Sequence, residues 1–73
     1  MFQDTFIVLL AKLNLRLDRI TFNNTSAEVV VGVIDQGGSR FVGRVGKNGD
    51  PFKALQEAFE QALTEFDPTW RNV

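Results

Sequence analysis

One stretch of the chain has the residue types that hold an anion. Gly43-Arg44-Val45-Gly46-Lys47-Asn48-Gly49-Asp50 places glycines and two cations directly ahead of a helix start. Free N–H groups and the positive end of a helix dipole point at such a position. A phosphate or carboxylate could rest there, with Lys47, Asn48 and Gly49 as contacts, which makes a small ligand-sensing domain one reading. The spacing is not that of a Walker loop, and no Ser or Thr follows the lysine. Asp50 also takes the place an anion would want. The plainer reading is a glycine-rich connection that needs positive φ.

Catalytic chemistry has less to work with. The chain contains no His and no Cys, so the commonest general base and the strongest nucleophile are absent. Carboxylates occur at Asp18, Glu28, Asp35, Glu57, Glu60 and Glu65, but no spacing pairs two of them in a cleft. Glu57, Glu60 and Gln61 read as the solvated face of a helix. A domain this small also has little room for a ligand pocket of ~300 Å³ or more. The expectation is a protein that is not an enzyme and holds no cofactor and no metal, since structural zinc is rarely held by carboxylates alone.

The elements around these residues follow from punctuation and periodicity. Asp50-Pro51 starts a helix: Asp caps free N–H groups, and Pro at the first position has no bond to lose. Phe52, Leu55, Phe59, Ala62/Leu63 and Phe66 then recur on one face. Asp67-Pro68 ends the run, so the helix is placed at 51–66, followed by a tail at 67–73. Phe2, Phe6, Leu9/Leu10, Leu13 and Leu17 fit a helical stripe that predicts a first helix over 2–14, with Asp4 in its first turn. β-branched Ile7 and Val8, and the alternation of Leu13, Leu15 and Leu17, leave room for a handover to strand near Asn14. Strands are expected at about 15–23, 27–34 and 39–45. Asn23–Ser26 and Asp35–Gly38 are turn chemistry between them.

The order is therefore α-β-β-β-α, an α+β domain with a three-stranded antiparallel sheet and both helices packed on one face. Val29, Val31 and Val33 alternate with Val30, Gly32 and Ile34, so both sheet faces are partly apolar. The helix-free face would carry Val30, Ile34 and Val42, fringed by Arg40 and Arg44. Apolar patches rimmed by charge mark interfaces; scattered apolar residues are the plainer account. Trp70 and Arg71 in the tail are residue types that anchor interfaces, although a Trp at such a position more often folds back to seal the core.

A chain of 73 residues with 44% hydrophobic content and seven Phe has material for one packed domain. Eight basic residues are offset by nine acidic ones, a weak start for non-specific phosphate binding. The lack of Cys fits a reducing compartment. The N-terminus has no basic n-region, and the longest apolar run, Phe6–Ala11, is far short of a bilayer span. A cytoplasmic protein without membrane contact is expected.

Ala27–Leu63, with Val42-Gly43-Arg44-Val45-Gly46, Asp50-Pro51, Ala54, Ala58 and Ala62-Leu63, resembles the second half of a double-stranded-RNA-binding domain. That resemblance implies the same helix–three strands–helix order. The family's basic cluster at the start of its second helix is replaced by Asp50-Pro51-Phe52-Lys53, and its Gly-Pro-x-His loop has no counterpart in Asn23–Ser26. The same stretch is similar to small phage-encoded α/β proteins, including some anti-CRISPR inhibitors with a Val-Gly-Arg…Asp-Pro lead. That likeness implies a small phage or mobile-element regulator acting on a protein target.

The leading expectation is a non-enzymatic protein-interaction module whose partner is another protein or a second copy. Its surface would be Val30, Ile34, Arg40, Val42 and Arg44, with Trp70, or else the acidic face of the last helix. A nucleic-acid-binding domain is the alternative.

Overall fold

The computed structural model describes residues 2–23, 25, 27–46 and 49–72, with side chains from residue 6 onward. Helix α1 (Phe2–Lys12) leads into strands β1 (Arg16–Asn23), β2 (Glu28–Ile34) and β3 (Arg40–Gly46). Helix α2 (Pro51–Phe66) follows, then a single 3₁₀ turn at Trp70–Asn72. The strands form an antiparallel sheet in the order β1-β2-β3. The fold is thus α-β-β-β-α, of the α+β class.

Helix α2 has the bounds its punctuation predicts. Asp50 Oδ1 accepts from the N–H groups of Phe52 (3.0 Å) and Lys53 (3.3 Å), which satisfies two donors the first turn cannot pair. At the other end the Asp67 N–H donates to Leu63 O at 2.8 Å. Helix α1 stops two residues before the predicted Asn14. Asn14 has φ 57; its N–H reaches Ala11 O (3.3 Å), while that of Leu15 reaches Leu10 O (2.8 Å). This is the Schellman arrangement, with Asn in the left-handed position usually held by Gly and a Leu10–Leu15 apolar pair beside it.

The β1–β2 ladder pairs Leu17 with Val33, Ile20 with Val31 and Phe22 with Val29, with a register shift between Leu17 and Arg19. The bulge re-phases the strand, so Leu17, Ile20 and Phe22 all share the side of Val29, Val31 and Val33. In the second hairpin, Asp35 Oδ1 accepts from Ser39 N at 2.8 Å, and Gly38 takes φ 86. In the first, Asn23 Oδ1 accepts from Thr25 N at 3.0 Å. Asn24 and Ser26 of that predicted turn lie outside the described residues, and the positive φ next to it falls on Ala27 (φ 53).

The core lies between the sheet and the helices. Val29, Val31, Val33, Ala58, Ala62 and Leu63 are fully enclosed, with Phe6, Leu10, Leu15, Ala54, Leu55, Phe59 and Trp70 around them. Phe6 stacks on Phe59 with ring centroids 4.6 Å apart, which ties α1 to α2. Helix α2 covers β3 and β2, while α1 leans on β1 only at its margin. At Gly43 the packing becomes backbone against backbone. A Cβ there would collide with the Ala58 carbonyl oxygen and lie 2.8 Å from both Ala58 C and Ala62 N. Phe52, expected on the buried stripe of α2, is instead 75% exposed. It sits in the first turn at the border of the stripe, which runs through Ala54, Leu55, Ala58, Phe59, Ala62 and Leu63.

Candidate functional site

The helix-free sheet face collects the residues that alternation assigned to it. Val30 stands opposite Arg44, Gly32 opposite Val42, and Ile34 opposite Arg40. On the β1 side, Arg16 faces Ile34, Arg19 faces Gly32 and Thr21 faces Val30. The charges are largely answered in place. Arg44 Nε lies 3.2 Å from Glu28 Oε2, and Arg40 Nε lies 3.0 Å from Asp18 Oδ2. Arg19 Nε is 3.8 Å from the same Asp18 oxygen. That oxygen makes charge contacts without hydrogen-bond alignment. Val30 and Ile34 are half-buried, and Val42 is exposed. The face is a salt-bridged, mildly basic surface with a thin apolar centre.

The larger apolar exposure is on the other side of the sheet, along β1. Ile7 is 62% exposed, Leu17 46%, Ile20 38% and Phe22 46%. Leu17, Ile20 and Phe22 point to the helix side, but α2 does not reach over β1, and α1 covers it incompletely. Phe6, Ile7, Leu10, Leu17, Ile20, Leu55 and Phe59 line the resulting groove of about 290 Å³. This margin was missed from the sequence. Its signal was present: the alternations Leu15/Leu17 and Ile20/Phe22 are separated by a step of three, which marks a bulge that keeps both pairs on one face. Ile7 and Val8 likewise give α1 a second apolar side.

The glycine-rich lead has structural uses. Gly43 belongs to β3 and makes room for α2. Gly49 takes φ 86, as a tight connection requires. The Asp50 carboxylate already occupies the first-turn N–H groups of α2. Lys47 and Asn48 lie outside the described residues.

Trp70 is not on the surface. It is 5% exposed, and its Nε1 donates to Thr64 Oγ1 at 3.0 Å. The Asp67-Pro68-Thr69 turn brings it back: Asp67 Oδ1 accepts from Thr69 N (2.9 Å) and Thr69 Oγ1 (2.8 Å). Those two bonds hold the Asp67 carboxyl below its ordinary 3.8, the backbone bond contributing most, with a small opposing effect of burial. Arg71 stacks over the indole, its Cζ 4.4 Å from the ring centre, and reaches Glu60 Oε1 at 3.2 Å.

The polar side of α2 is less idle than a solvated face would be. Gln61 Oε1 accepts the Arg44 N–H of β3 at 3.1 Å, Thr64 holds Trp70, and Glu60 holds Arg71. Depressions of about 450 and 490 Å³ lie along this side, lined by Glu57 and Glu60 among others, and both are open to solvent. Among the described residues, no group of three or more His, Cys, Asp or Glu is placed to hold a metal ion. No helix among them is long and apolar enough to cross a membrane. Comparison of the chain with family models, curated proteins and solved structures finds no match.

Proposed function

We propose that this domain is a non-enzymatic protein-interaction module that docks its partner on the apolar margin between α1 and β1. The observation that supports the reading is the gathering of partly exposed Ile7, Leu17, Ile20 and Phe22 along one incompletely covered strip. An antiparallel sheet keeps its apolar face covered and its open face polar. Here the face that should be covered is only partly covered along β1. Contiguous apolar exposure of this kind marks an interaction surface. The chain also has no His or Cys from which to build general acid–base or thiol chemistry.

Nucleic-acid binding is the second reading, favoured by one observation: Arg16, Arg19, Arg40 and Arg44 share the helix-free face. Asp18 and Glu28 neutralise part of that charge, so the phosphate attraction is weak.

Affinity capture with the tagged domain, with and without nuclease, separates the two. A protein partner that survives nuclease, is lost with Ile20→Asp and is kept with Val42→Asp supports the α1–β1 margin. Partners lost on nuclease treatment, or on Arg40→Glu with Arg44→Glu, would move the function to the open face.

A further inference from the structure

We propose that the chain pairs with a second copy of itself through the outer edge of β1, making one continuous antiparallel sheet across a two-fold axis at Thr21. This rests on the reading of the α1–β1 margin as the docking surface and names its occupant.

The two edges of the sheet differ. On β3, the outward N–H of Arg44 is taken by Gln61 Oε1, which α2 carries around the edge. That bond also fixes the phase of the ladder. Antiparallel pairs alternate between those that exchange both hydrogen bonds and those whose groups point away. Arg44 points away from β2, so its partner Val30 points toward β1 and bonds Thr21. Ile20 and Phe22, on either side of Thr21, then direct their N–H and C=O groups outward. Outward groups on an edge strand are a template for another strand. The bulge between Leu17 and Arg19 interrupts only the first part of β1, leaving 19–23 regular.

The side chains select a register for that pairing. With the axis at Thr21, Ile20 stands opposite the second copy's Phe22, and each covers the other's exposed apolar surface on the helix side. Thr21 faces its own equivalent, and Arg19 faces Asn23, a neutral residue. A register centred on Arg19 would instead set two arginines face to face. The Thr21 seam therefore joins apolar to apolar and sets no like charges directly opposite. An isologous seam of this kind closes on itself and leaves β3, already occupied by Gln61, as the outer edge.

Sedimentation velocity on the full chain over a wide concentration range tests this directly. The expected result is a reversible monomer–dimer equilibrium. Phe22→Lys should weaken it at least tenfold, and Val42→Asp should leave it unchanged, with far-UV circular dichroism verifying that both variants fold. Phe22→Pro should fold and be monomeric, because the N–H it removes points outward. The chain has no native Cys, so Thr21→Cys offers a clean crosslink. Opposed residues of a pair whose backbone groups point away lie ~4.5 Å apart at Cα, and oxidation should yield a disulfide-linked dimer that Val42→Cys does not. A monomer at every concentration, or a dimer indifferent to Phe22→Lys, overturns the proposal. If the chain is monomeric but Ile20→Asp still abolishes capture of another protein, the edge serves a foreign strand and the margin reading stands. If Ile20→Asp changes neither self-association nor capture, the margin reading falls as well.

Discussion

Gly43 of β3 and Ala58 of α2 meet backbone to backbone, with no space for a side chain between them. Ala54, Ala58 and Ala62 recur every four residues along the buried side of α2, and this small-residue stripe seats the helix directly on the sheet. Gly43→Ala drives a methyl into a carbonyl and an amide that cannot swing aside. Its cost should be near the top of the ~1–3 kcal/mol range for overpacking. Gly46→Ala, where nothing lies within 4 Å of the added carbon, should stay within about 0.5 kcal/mol. Urea midpoints of the two variants make the comparison.

Trp70 should be worth more to the fold than any exposed residue of the tail. Trp70→Ala removes a buried indole and is expected to cost ~3–5 kcal/mol, a large share of a small domain's stability. Thr64→Val keeps the volume but strands the indole N–H, and should cost ~1 kcal/mol. Thermal melts of the two variants separate packing from the hydrogen bond.

The Asp67 turn gives a pH dependence of known sign. Its carboxyl is held below the ordinary 3.8 by Thr69, so the ionised form is favoured in the folded chain. That contribution is fully present above 3.8 and is lost as pH falls below it, through the lower folded-state value. The denaturation midpoint, followed by Trp70 fluorescence, should decline below that pH. The gap between the native chain and Asp67→Asn should narrow over the same range.

The ion pairs on the helix-free face should matter little to stability. Arg40 and Arg44 are more than half exposed while their partners Asp18 and Glu28 are 18% and 30% exposed, which places these pairs at the upper end of the ~0–1 kcal/mol of a surface ion pair. Arg40→Ala and Arg44→Ala are each expected to shift the melt by only a few degrees. A large loss from either would show the face to be more tightly built than its exposure indicates.

Much of the architecture was legible because local signals were strong. Asp50-Pro51 and Asp67-Pro68 bracket α2, and the alternation of β2 and β3 puts Val30, Ile34, Arg40, Val42 and Arg44 on one face. Asn14 was harder to read: its left-handed turn ends α1 early, and only its φ of 57 and the Leu15 N–H bond to Leu10 O show it. The margin along β1 was hidden because a bulge at Asp18 breaks strict alternation, and because coverage by a helix is a tertiary property. Gln61 and Glu60 looked like a solvated helix face, and Thr64 carried no signal of its own. Their partners lie 17, 11 and 6 residues away in sequence, and no periodicity reveals such contacts.

The most direct test of the interaction reading is hydrogen exchange of the backbone amides, free and bound, with the partner being whatever chain the domain associates with. The account predicts new protection at residues 17–22 and 6–10 and little change at 40–44. Protection concentrated at 40–44 and 28–34, with β1 unchanged, would contradict it and place the docking surface on the helix-free face.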